Sequence, residues 1–235
     1  WNPVTGCLHG CPYCYARRTA HRFDAGMKDM APLPGGLHTI PQKIKATPYP
    51  YGFEPTMHRY RLNQPERKAD GHTVFVCSMA DLFGRWVPTE WIRDVLDACQ
   101  RAPQHRYLFL TKNPVRYMEL DRLAILPHAQ NFWYGSTVAN EDAAGMYSMP
   151  NSNINTFWSM EPLLGPVDMN AAEGLPGWVI LGAETGNRKD KVVPKREWVD
   201  HIAAFCAENE IPVFYKSNLR EHFPDLPAST LPWEV

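Results

Sequence analysis

Cys7, Cys11 and Cys14 crowd into the stretch GCLHGCPYCYARR (residues 6–18), separated by three residues and then by two. Thiolates are soft ligands and select zinc, copper(I) or iron–sulfur clusters. A structural zinc site takes four ligands and usually draws them as two separated pairs. Here the remaining cysteines, Cys77, Cys99 and Cys206, are scattered through apolar patterns and read as buried free thiols. His9 between the thiols, or His21 beyond them, could complete a zinc site. A cubane iron–sulfur cluster held by only three protein thiolates instead leaves one iron open to an outside ligand, an arrangement suited to chemistry rather than to structure. The spacing alone leaves both readings standing.

Such a loop needs elements to hold it. Short apolar runs recur along the chain: TVFVCS (73–78), RYLFLT (106–111), NFWYGST (131–137), NTFWSM (155–160), GWVILG (177–182) and IPVFYK (211–216). They are continuous rather than alternating, as expected of parallel strands covered on both faces. A seventh, weaker candidate is WNPVT at the start. Helical periods fall between several of them. In PTEWIRDVLDACQRAP the positions Ile92, Val95, Leu96 and Cys99 form one stripe, with Thr89 placed as N-cap and Pro103 as stop; in KREWVDHIAAFCAENE the stripe is Trp198, Ile202, Phe205 and Cys206. Strands alternating with helices predict βαβ units and a parallel sheet. The stretch 31–72, rich in proline and glycine, carries no clear period and reads as an irregular insertion beside the site, within a single domain spanning 1–235.

In parallel barrels chemistry sits at the C-terminal ends of the strands. The polar residues just past each apolar run are Ser78 and Asp81, Thr111 and Lys112, Ser136 and Thr137, Glu161, Glu184, and Lys216 with Asn218. Glu161 and Glu184 follow apolar strands, where an unpaired carboxylate is costly, and Lys216 is the nearest partner for a structural ion pair; the alternative is that they bind substrate or cofactor. Asp81 and Thr137 are equally suited to helix capping. Arg17 and Arg18 read as a solvated helix face. The basic run Arg59, Arg61, Arg67 and Lys68 could touch phosphates, with Tyr60 as a stacking group, or simply face solvent.

Composition narrows the partners. The chain has 235 residues, 44% hydrophobic, with formal net charge −1 and pI near 6.8, so no overall field attracts nucleic acid or anionic lipid. Neither a long apolar span nor a signal segment appears, and a soluble, cytoplasmic protein with no membrane partner is expected.

With Tyr13 just before its last cysteine, the loop resembles the signature loop of radical S-adenosylmethionine enzymes. That resemblance implies a partial (β/α)6-type TIM barrel of mostly parallel strands, with room for one extra strand. It implies a [4Fe-4S] cluster on Cys7, Cys11 and Cys14, with the amino and carboxylate groups of S-adenosylmethionine on the open iron. Tyr13 would shield the cluster, Ser78, Met79 or Asp81 would meet the methionyl amino group, and Ser136 and Thr137 the ribose. Glu161, Glu184 and Lys216 would be the catalytic groups. The electron would come from an external donor, a flavodoxin or ferredoxin, because no second cluster can be built. An incomplete barrel opens sideways and admits a nucleic acid or protein substrate. The stretches WNPVTGC, VFVCSMADLFGRWVP, LTKNPVRY, SMEPLLGPVD, WVILGAETG and VFYKSN are similar, in order, to the phage Gp37/Gp68 family of uncharacterised proteins. Where that family commonly separates its first cysteines by a longer insertion, this chain has the compact form. The competing expectations are a zinc- or cluster-binding module without catalysis and a cluster-bearing protein that binds nucleic acid through residues 59–68.

Overall fold

A computed structural model describes residues 1–23, 34–140, 154–172 and 174–234. The chain divides into two compact units, 1–132 and 133–235.

The first unit holds strands β1 (Val4–Thr5), β2 (His38–Ile40), β3 (Thr56–His58), β4 (Thr73–Val76) and β5 (Arg106–Thr111), with helices α1 (Tyr15–Arg22), α2 (Thr89–Gln100) and α3 (Val115–Arg122). β4 and β5 pair in parallel, Thr73 opposite Arg106 through Val76 opposite Phe109. α2 buries Trp91, Ile92, Val95, Leu96, Ala98 and Cys99, the stripe its sequence dictates. Its N-cap is Pro88, with extended ψ of 143°, so Thr89 is the first helical residue rather than the cap. The Thr89 hydroxyl instead accepts a 2.8 Å bond from Arg116 Nη2.

β1 lies in a separate three-stranded sheet of order β1-β3-β2, antiparallel to β3, which in turn runs parallel to β2. The opening strand therefore belongs to a small sheet built largely from the 31–72 stretch. That stretch was expected to be irregular; it contributes two strands of three residues each, too short for a period to register. Residues 31–33 of it lie outside the described residues.

The second unit carries β6 (Phe132–Thr137), which starts at the unit boundary, then β7 (Asn155–Met160), β8 (Val179–Leu181), α4 (Arg196–Glu208), β9 (Val213–Tyr215) and α5 (Ser217–Arg220). β6, β7, β8 and β9 pair successively in parallel. Their core joins Trp158, Met160, Val179 and Leu181 to Val199, Ile202 and Cys206 of α4, with Trp198 and Phe205 packed at its edge. Gly135 is required in β6: a Cβ there would stand 2.2 Å from the Phe157 ring. Parallel strands taken in chain order, with helices between, make this a mixed α/β chain of the partial TIM-barrel type. Among the described residues no helix is long and apolar enough to cross a membrane.

Candidate functional site

The cysteine loop leaves β1 at Gly6, whose amide donates to the Met79 carbonyl (2.9 Å), while the Cys7 amide donates to the Phe53 carbonyl (3.2 Å). Gly6 has φ of +86°, and a Cβ there would meet the Glu54 carbonyl oxygen at 2.2 Å, so only glycine fits this close approach. Gly10 also has positive φ, +70°, but faces open space. The loop closes at Cys14, which is the N-cap of α1: its Sγ accepts from the Arg17 amide at 3.4 Å. Arg17 turns back so that Nη2 donates to the Cys7 carbonyl (3.3 Å), with its guanidinium 5.1 Å from the Phe53 ring centroid. The solvated role expected for Arg17 gives way to a brace across the loop.

Asp81 is the hub of the unit. Its Oδ1 accepts from the Phe83 amide (3.0 Å) and the Thr111 hydroxyl (2.7 Å). Its Oδ2 accepts from the Lys112 amide (2.9 Å) and His9 Nε2 (2.7 Å). With only 6% of its surface exposed, the carboxylate is filled by protein donors from three segments: the cysteine loop, the turn after β4 and the end of β5. His9 also meets Trp86 edge-on, ring centroids 4.8 Å apart. Lys112 in turn donates from Nζ to the Tyr13 hydroxyl at 3.0 Å. Ser78 donates to Asn2 Oδ1 (3.2 Å), and its carbonyl accepts from the Tyr15 hydroxyl (2.7 Å). Expected site residues Tyr13, Ser78 and Asp81 thus share one set of contacts with the cysteine loop. The partners His9, Asn2 and Tyr15 had no role assigned to them in that set; nothing in the sequence signals pairs so far apart.

All three loop cysteines are free and partly exposed, whereas Cys77, Cys99 and Cys206 are free and buried. Burial pushes the Cys7 thiol up to about 12, with the Asp81, Cys11 and Cys14 charges adding to the effect. Making it a ligand thiolate therefore needs a nearby positive centre. The donor set, three soft sulfurs on one loop, fits a cluster with an open iron. Among the described residues no group of three or more His, Cys, Asp or Glu side chains is gathered closely enough to hold a metal ion.

In the second unit, Ser136 is buried and Thr137 half-buried at the end of β6. Past β7, Glu161 Oε2 accepts from Lys216 Nζ at 2.7 Å, the two side chains being 25% and 41% exposed. Asn218 joins its carboxamide to the backbone of Ala183, through Nδ2 to the carbonyl at 2.7 Å. Glu184 pairs not with Lys216 but with Arg188, Oε1 to Nε 2.8 Å and Oε2 to Nη2 2.9 Å, and also accepts from the Val192 amide at 3.2 Å. The Arg188 bonds hold the Glu184 carboxyl below its usual range.

Of the basic stretch, Arg67 and Lys68 are exposed, while Arg59 and Arg61 are engaged within the first unit. Arg59 pairs with Asp94 (2.7 Å), and Arg61 donates to the Asn2 carbonyl (2.7 Å) and the Tyr60 hydroxyl (3.1 Å).

A parallel α/β chain with a three-cysteine loop bonded to its strand ends is the class these features define. The chain belongs to the family described as "Protein of unknown function (DUF5131)", whose model matches residues 1–222. No curated protein and no solved structure matches it.

Proposed function

We propose that the chain is a radical S-adenosylmethionine enzyme. The observation that carries this reading is the attachment of a loop with three free, accessible thiols to the C-terminal ends of β4 and β5, through Gly6 to Met79, His9 to Asp81 and Tyr13 to Lys112. When bound, a [4Fe-4S] cluster carrying S-adenosylmethionine supplies an electron that splits the sulfonium into methionine and a 5'-deoxyadenosyl radical able to take hydrogen from a substrate. Cys7, Cys11 and Cys14 would hold the cluster. Tyr13, fixed by Lys112, covers the loop and limits water. Asp81 already accepts four bonds, so it positions the loop and the β5 end instead of receiving the methionyl amino group; Ser78 stays beside it for that contact. Ser136 and Thr137 remain the proposed ribose contacts. The partly exposed Glu161–Lys216 pair is the better placed of the acidic candidates to meet substrate, because Glu184 is buried and occupied by Arg188. The electron comes from a flavodoxin or ferredoxin.

A second reading is favoured by one contact. His9 gives Nε2 to a carboxylate, the outer-shell arrangement of zinc-ligating histidines, and keeps Nδ1 for a metal beside the three thiols. One experiment separates the two: anaerobic reconstitution with iron and sulfide, reduction with dithionite, addition of S-adenosylmethionine and chromatography for 5'-deoxyadenosine. Release above the triple Cys7→Ala, Cys11→Ala, Cys14→Ala variant supports the enzyme. A colourless protein that retains zinc and releases none overturns it.

A further inference from the structure

A cavity of about 310 Å³ opens in the first unit between the turn after β4 and the start of α3, lined by Arg85, Asn113, Val115, Arg116 and Glu119. Two guanidinium groups and one carboxylate face it, leaving a net positive charge. The three polar groups on its α3 side are held in place. Arg116 donates from Nη1 to Glu119 (2.7 Å) and from Nη2 to Thr89 (2.8 Å), and Asn113 Nδ2 donates to the Phe83 carbonyl (2.9 Å). Arg116 Nε is buried and has no acceptor among the described residues. Buried donors are normally satisfied, and this one, on a side chain that lines the cavity, can take an outside acceptor once the guanidinium turns toward it. Arg85, across the cavity, is exposed and makes no hydrogen bond or ion pair among the described residues. One fixed guanidinium with a spare donor and one free guanidinium suit an oxyanion that takes several N–H bonds at once.

We propose that this cavity binds the phosphate of a phosphate ester, and that it is where the substrate is anchored. Two features of its position support the second part. It lies at the C-terminal ends of β4 and β5, the end at which parallel α/β units bind ligands. The same turn carries Asp81 and Trp86, the two residues that touch His9 of the cysteine loop. The volume is at the lower end for ligand pockets, roughly 300–1,000 Å³, which suits a phosphate with its attached sugar rather than a stack of bases. The anchoring role rests on the enzyme reading above; the binding itself does not.

The test is calorimetric titration with adenosine 5'-monophosphate, inorganic phosphate and adenosine. Both phosphate-bearing probes are expected to bind and to compete with each other, and adenosine to fail. Arg85→Ala should weaken both at least tenfold while leaving the thermal midpoint unchanged, since Arg85 has no partner to lose. Arg85→Lys should recover only part of the affinity, because an ammonium lacks the paired donors. Raising salt should weaken the wild type more than Arg85→Ala. No binding of either phosphate probe at millimolar concentration, or equal binding by wild type and Arg85→Ala, overturns the proposal. The same titration on the triple cysteine-to-alanine variant keeps the two ideas apart: phosphate binding there with no 5'-deoxyadenosine from the wild type sinks the enzyme reading alone.

Discussion

Replacing Asp81 by asparagine tests the hub on its own. The change keeps shape and one acceptor oxygen but turns the other acceptor into a donor, so on one side two of the four bonds are lost and two N–H groups face an NH2. If the carboxamide oxygen stays with Phe83 and Thr111, the groups stranded are the Lys112 amide and His9 Nε2. His9 is partly exposed and water can serve it; the Lys112 amide sits behind it against a buried side chain. A buried donor without an acceptor costs about 1–3 kcal/mol, and losing the charge on the acceptor adds about 1 kcal/mol. The expected loss is about 2–4 kcal/mol. For a chain of this size that corresponds to a fall in thermal midpoint of roughly 4–16 °C. Circular dichroism reads the midpoint, and hydrogen exchange of the metal-free protein reads the site: amides of residues 6–14 should lose protection together with Lys112, while α4 of the second unit keeps its own. A midpoint within 1 °C of wild type, with unchanged exchange in the loop, would refute the assignment of Asp81 as the clamp.

Two glycines in the loop should respond differently. Gly6→Ala meets both a left-handed φ and the Glu54 carbonyl, and should cost about 2–4 kcal/mol in a urea titration; Gly10→Ala meets the φ alone, and should cost about 1 kcal/mol. His58, buried and bonded to Thr5 at 2.9 Å, is held down to about 3 by burial and by Arg61. It stays neutral when folded but takes a proton near pH 6.5 when unfolded, so stability should fall by up to about 1.4 kcal/mol for each pH unit below 6.5, and His58→Gln should flatten that slope in pH-dependent denaturation. Glu184 has its native value depressed by Arg188, so its contribution is complete above the ordinary value of 4.5 and disappears as pH falls through the native one. Glu184→Gln should lower stability at neutral pH and remove that acid limb, with hydrogen exchange rising first at Val192.

The parallel strands were legible because each is a continuous apolar run; RYLFLT and NTFWSM coincide with β5 and β7 from end to end. β2 and β3 were not, because three residues cannot display a period and the strand β1 that pairs with β3 lies far away in sequence. TVFVCS ends as a strand at Val76, since Cys77 adopts φ of +58°, a turn that no side-chain pattern announces. At the site, residue types were readable and partners were not. Asp81 stood out as a polar strand end, yet what it holds comes from positions 72 residues back and about 30 ahead. Arg59 and Arg61 resembled a basic patch because Asp94 and the Asn2 carbonyl, which absorb them, are distant in the chain. Glu184 misled in the other direction: its partner Arg188 is only four residues on, nearer than the lysine first considered.

The seating of Gly6 on the Met79 carbonyl and of Cys7 on Phe53 also sets a schedule for biosynthesis. A ribosome emits the three thiols first and the walls that seat them much later; at ~5–20 residues per second the wait from Gly6 to Met79 is on the order of 10 s. Throughout that interval the nascent segment is an unshielded trithiol, open to stray metal ions and oxidants. A translational pause before Met79 has emerged would lengthen that exposure.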